Sequence, residues 1–175
     1  MLRRWCCWTM GTRSRRRPKR LIAAGLAAGL AGGLAGCAPD APPGVAKDRL
    51  DAEISRSIGD PNTCVLIGPK GGGRTLYRYN TATACAKEYP DCEGPGAMSV
   101  GDLLDAVARD GQPRYLSCDT LPDRSRGVGW AAAAVPGKDL VYAAVMEGDR
   151  AFPGRMMADR LEGAFRRAGL APASE

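Results

Sequence analysis

Gly127-Val128-Gly129-Trp130-Ala131-Ala132-Ala133-Ala134-Val135, then Pro136-Gly137-Lys138-Asp139, then Leu140-Val141-Tyr142-Ala143-Ala144-Val145-Met146: two apolar runs flank a Pro-Gly turn segment. Proline presets φ and glycine accepts positive φ, so this junction reads as the turn of an antiparallel hairpin. The second run has no polar residue on either side of its period-two alternation. A strand of that kind reads as covered on both faces.

The flanking segments supply those covers. Downstream, Gly154–Ala168 puts Met157, Leu161 and Phe165 on one stripe. Glu162 and Arg166 stand four apart, Arg166 and Arg167 sit near the negative end of the helix dipole, and Gly169 follows as a stop. Upstream, Arg114–Ser117 is a short strand. Before it, Ser99 stands as N-cap with Asp102 three residues on, Leu103, Leu104, Val107 and Ala108 form an apolar face, and Gly111 ends the helix. Thr63–Ile67 and Arg74–Asn80 favour strand, and Gly68–Gly73 reads as the hairpin loop between them. Leu50, Ile54 and Ile58 recur every four residues over Asp48–Ile58, which Gly59-Asp60-Pro61 terminates. The order is helix, two strands, helix, three strands, helix. Grouped strands with short connections predict an α+β fold: an antiparallel sheet of about five strands with N-terminal, middle and C-terminal helices packed on it. Val65, Ile67, Leu76, Leu103, Leu104, Val107, Trp130, Val141, Val145, Met157, Leu161 and Phe165 are the candidate core. No internal repeat is present.

Charge is segregated along the chain. The net charge of +6 comes from the first 36 residues, where Arg3, Arg4, Arg13, Arg15, Arg16, Arg17, Lys19 and Arg20 meet no acid. Taking those eight from 25 basic residues leaves 17 against 19 acidic ones, a net of about −2. That balance lacks a phosphate-binding footprint, so no nucleic-acid partner is expected. There is no histidine, which removes the commonest general base and metal ligand. No cofactor is expected.

The basic segment runs into the apolar Leu21–Leu34, and Leu34-Ala35-Gly36-Cys37 closes it. A basic region, a short apolar core and small residues at the cut define a secretory signal. The apolar run is short of the roughly 20 residues a membrane span needs. Leu34-Ala35-Gly36-Cys37 resembles the lipobox of bacterial lipoproteins. The resemblance implies diacylglycerol on the Cys37 thiol, cleavage between Gly36 and Cys37 by the second signal peptidase, and acylation of the new amino group, palmitate among the acyl chains. It also implies outer-membrane residence facing the periplasm in a Gram-negative host, because Ala38 and not aspartate follows the cysteine. Several acyl chains give stable anchoring where one does not. Ser14-Arg15-Arg16-Arg17 resembles a twin-arginine signal, although Pro18 takes the place of the usual apolar residue, so the export route stays open. The chain therefore divides into a signal peptide (1–36), a Pro-rich tether (37–46) and a single globular domain (47–175).

Cys64, Cys85, Cys92 and Cys118 remain beyond Cys37. Four cysteines in an exported domain predict two disulfides with three possible connectivities. Cys85–Cys92 with Cys64–Cys118 is the favoured pairing, the first closing a short loop through Pro90 and the second tying two strands. Zinc is disfavoured by the spacings and the missing histidine.

Three constellations invite catalytic readings. Gly68-Pro69-Lys70-Gly71-Gly72-Gly73-Arg74-Thr75 nearly matches a phosphate-binding loop, but Arg74 replaces the lysine and a strand follows where a helix should. Ser117, Asp119, Asp123 and Ser125 read as a polar loop. Gly127–Ala131, Leu140–Met146 and the terminal helix, with the first helix and the hairpin through Tyr77-Arg78-Tyr79-Asn80, resemble a serine β-lactamase or penicillin-binding transpeptidase domain. That family needs Ser-x-x-Lys. Here Ala84 stands three residues before Lys87, Tyr115-Leu116-Ser117-Cys118 stands where Lys-Thr-Gly belongs, and the helical half has no room. The resemblance implies a reduced, non-catalytic relative. The expectation is an envelope lipoprotein acting as a non-enzymatic binding or structural module, tied to the membrane through Cys37 and meeting an envelope protein or cell-wall partner. The alternative is a cell-wall-related hydrolase or degenerate transpeptidase-like protein.

Overall fold

The computed structural model describes residues 41–173, so the leader, the lipobox and Cys37 lie outside the described residues. The elements are α1 (Lys47–Ile58), β1 (Thr63–Pro69), β2 (Tyr77–Tyr79), α2 (Ala82–Cys85), β3 (Glu88–Pro90), β4 (Ala97–Ser99), α3 (Val100–Asp110), β5 (Arg114–Asp119), β6 (Gly127–Ala134), β7 (Leu140–Gly148) and α4 (Gly154–Ala168). Five strands form one sheet in the order β2-β1-β7-β6-β5, with every neighbouring pair antiparallel. The fold is α+β, as the patterning predicts.

The apolar run Leu140–Met146 is the middle strand. It pairs with β6 on one side, Trp130 opposite Val145, and with β1 on the other, from Thr63 opposite Met146 to Pro69 opposite Leu140. Its alternation splits the core in two. Tyr142, Ala144 and Met146 face α1 and α4, joining Leu50, Ile54, Ile58, Met157, Leu161 and Phe165. Val141, Ala143 and Val145 face the other way, joining Val100, Leu103, Leu104, Val107 and Trp130. All the candidate core residues are buried except Leu76, which is half-buried. Burying a large aliphatic side chain stabilises by about 1.5–3 kcal/mol, so these two layers carry the fold. Ahead of α1, Pro42 is buried and Val45 packs on the α1–α4 core.

The middle helix starts and stops as its sequence dictates. Ser99 Oγ accepts from the Asp102 amide at 3.2 Å, and the Asp102 carboxylate accepts from the Ser99 amide at 2.8 Å. Gly111 closes the helix in the left-handed region at φ 69°. The hairpin joining β1 to β2 is shifted from the expected one: Gly68 and Pro69 extend β1, residues 70–76 form the loop with Gly71, Gly72 and Gly73 all at positive φ, and β2 is only Tyr77–Tyr79. No helix opens behind it, in keeping with the rejection of a phosphate loop.

Three elements have no sequence forecast: α2 and the two-stranded β3–β4 hairpin, which together fill residues 82–99. They also correct the disulfide pairing. The bridges are Cys64–Cys85 and Cys92–Cys118, with Cα separations of 5.2 and 5.4 Å, not Cys85–Cys92 and Cys64–Cys118. Cys64 sits on β1 and Cys118 on β5, with β7 and β6 between them. At about 4.8 Å per strand spacing, those two are some 14 Å apart, beyond the roughly 7 Å reach of a disulfide. Cys85 ends α2, which packs on β1, while Cys92 is carried by the β3–β4 turn to the opposite edge of the sheet.

Candidate functional site

One end of the sheet collects the polar chemistry. There β1 begins, β7 ends, β6 begins and β5 ends, so the loops 59–62, 120–126 and 149–153 meet. Glu147 is the first charged residue after the apolar run of β7, and its side chain is only 11% exposed. A carboxylate at that depth requires partners. Arg126 supplies two hydrogen bonds, from Nε at 2.9 Å and Nη2 at 2.8 Å, and the Asn62 amide donates at 3.3 Å. Arg126 is pushed above its ordinary range by this hydrogen-bonded carboxylate. Lys87 Nζ in turn donates to Asn62 Oδ1 at 3.0 Å, and Arg150 pairs with Asp60 at 3.3 Å.

The segment 151–153 lies between two grooves. One, of about 470 Å³, is lined by Ile58, Asp60, Met146, Arg150, Phe152 and Arg160, among others. The Arg160 guanidinium lies 4.2 Å from the centre of the Phe152 ring and donates to the Ser57 carbonyl at 3.3 Å. The other, of about 340 Å³, opens over Ser117, Asp119, Gly127, Val128 and Pro153. A third depression of about 370 Å³ lies beside α1 and β2, where Lys47, Asp51, Arg78 and Asn80 contribute. The Tyr77 hydroxyl donates to Asp51 there at 2.6 Å, and burial followed by that bond pushes its pKa up.

The polar loop residues separate by role. Ser117 Oγ accepts from the Gly154 amide at 2.8 Å and so caps α4, whose own N-cap position is Pro153 and supplies no side-chain oxygen. Asp119 pairs with exposed Arg124 at 3.4 Å. Ser125 donates through its hydroxyl to Asp123 at 2.7 Å and through its amide at 3.0 Å, an Asx-type turn. The Ser125 hydroxyl lowers the Asp123 pKa, as Ser99 lowers that of Asp102. Both hydroxyl–carboxylate pairs are thus local contacts, one closing a turn and the other capping α3. Lys87 is turned to Asn62, and β5, which carries Tyr115-Leu116-Ser117-Cys118, is an edge strand.

Sequence reasoning missed the Glu147 network. Its one visible signal is an acid placed directly against a wholly apolar strand, Met146-Glu147-Gly148; Arg126, Asn62 and Asp60 carry no signal because the sheet brings them in from distant loops. Among the described residues no three His, Cys, Asp or Glu side chains gather as a metal ion would require, and no helix is long and apolar enough to cross a membrane. Compared with known proteins, the chain matches no family model, no curated protein and no solved structure.

Proposed function

We propose that this protein is an exported envelope lipoprotein, held on a membrane by lipid on Cys37, whose globular domain serves as a non-enzymatic binding or structural module. The observation that carries the reading is the leader itself: the acid-free basic segment, the short apolar run and Leu34-Ala35-Gly36-Cys37 in that order. The two disulfides support it, since such bridges persist in oxidising compartments outside the cytoplasm. The divided roles of the hydroxyls and acids support the non-enzymatic half. Its binding surface is the polar end of the sheet, where the two grooves flank residues 151–153.

Expression in a bacterial host fed labelled palmitate tests the anchor. The natural chain takes up label and Cys37→Ala does not; label on Cys37→Ala sinks the proposal. In a Gram-negative host the chain is expected with outer-membrane markers on a density gradient, because Ala38 follows the cysteine. A penicillin or serine-hydrolase probe separates the two classes of function: covalent labelling would move the protein to the transpeptidase-like reading.

A further inference from the structure

We infer that Cys92–Cys118 is a thiol–disulfide exchange site, opened by an external dithiol while Cys64–Cys85 stays closed, and that opening it releases a strap from over Trp130. The two bridges differ in access. Cys64 is fully buried and Cys85 is 8% exposed, whereas Cys92 and Cys118 are only partly buried, at the sheet edge. Exchange begins with attack by a thiolate on a sulfur it can reach, so the second bridge is the one presented to a reductant.

The strap is the β3–β4 hairpin, residues 88–99. Three things hold its tip down: the Cys92–Cys118 bridge, a 2.9 Å hydrogen bond from Trp130 Nε1 to the Pro90 carbonyl, and the Tyr89 ring edge-on to Trp130 with centroids 6.2 Å apart. Beneath it Trp130 is wholly buried. Two features of the closed strap are unfavourable. Cys92 takes φ 64°, in the left-handed region that favours glycine. The Tyr89 hydroxyl is buried with no hydrogen-bond partner among the described residues, a loss that water repairs once the strap lifts. The covalent tie therefore holds shut a flap with reasons to open.

The exchange balances. One thiolate of the dithiol bonds to a sulfur of the pair and the other cysteine leaves as thiolate. The second thiol of the reductant then attacks the mixed disulfide. The reductant ends as a disulfide, and Cys92 and Cys118 end as thiols after two electrons and two protons have passed to them.

Trp5, Trp8 and Trp130 are the tryptophans of the chain and the first two lie in the proposed leader, so the exported protein, or a full chain carrying Trp5→Phe and Trp8→Phe, reports on Trp130 alone. It is titrated with dithiothreitol, trapped with N-ethylmaleimide and mapped by peptide mass. Cys92 and Cys118 are expected to label on the order of tenfold faster than Cys64 and Cys85, with Trp130 emission moving to the red in step. Cys92→Ser with Cys118→Ser is expected to show that red-shifted emission without reductant while far-ultraviolet circular dichroism is kept. Simultaneous labelling of the four bridged cysteines, earlier labelling of Cys64 and Cys85, or an opened bridge with unchanged emission overturns the inference. If the double variant fails to fold, the labelling order and emission of the natural cysteines decide alone.

Discussion

Gly129 and Gly154 fix how closely the last helix approaches the sheet. A β-carbon on Gly129 would overlap the carbonyl oxygen of Phe152, and one on Gly154 would overlap the carbonyl of Trp130 and the backbone of Leu116. These neighbours are all backbone atoms, those of Trp130 and Leu116 on paired strands, and cannot yield cheaply. Gly154→Ala is therefore expected to cost about 3 kcal/mol, the upper range for overpacking. Gly163, in the same helix, is the contrast. Its β-carbon would meet only the far end of the Arg167 side chain, so Gly163→Ala is expected to gain about 0.5–1 kcal/mol from helix propensity. Urea denaturation of the two variants checks both signs. Two gains, or two losses of equal size, would refute the assignment of Gly154 to a backbone contact.

Helix α3 is the element whose ends are written most fully in its own residues, and its carboxylates give it a pH dependence. Ser99→Ala removes the oxygen that accepts from Asp102 and is expected to cost about 1 kcal/mol. Asp110, in the last turn, is held at about 2, against an ordinary 3.8, first by its hydrogen bond from Arg114 and then by the Gln112 amide. Asp102 is lowered by the Ser99 hydroxyl and amide. Both folded values lie below the unfolded ones. Their contribution is therefore complete above the ordinary carboxylate range and is lost as pH falls through 3.8 toward about 2. With no histidine in the chain, no imidazole titration overlies this one. The denaturation midpoint should fall from pH 5 to pH 2, and Asp110→Asn should flatten that fall; an unchanged slope in the variant would count against the assignment.

At the scale of the molecule, the disulfides staple a sheet whose first and last strands lie side by side. The closed loops span 21 and 26 residues, and chain entropy assigns about 3 kcal/mol to either. Burial breaks the tie. Cys64 is enclosed in the α3-side core, so Cys64→Ala with Cys85→Ala is expected to lower the melting temperature more than Cys92→Ala with Cys118→Ala; the reverse order would refute this. The same division between local and distant separates what was legible in the chain from what was not. The hairpin at Pro136–Asp139, the cap at Ser99, the stops at Gly111 and Gly169 and the two-faced burial of Leu140–Met146 follow from residues within a few positions of one another. Propensity, turn chemistry and period act at that range, and with grouped strands they determine an α+β fold. Which cysteines meet, why Ser117 caps a helix 37 residues away, and how Arg126 and Asn62 come to serve Glu147 depend on strand order. Strand order is set by which strands flank β7 and which helices cover its two faces together, a property no single segment holds, and only the assembled sheet decided it.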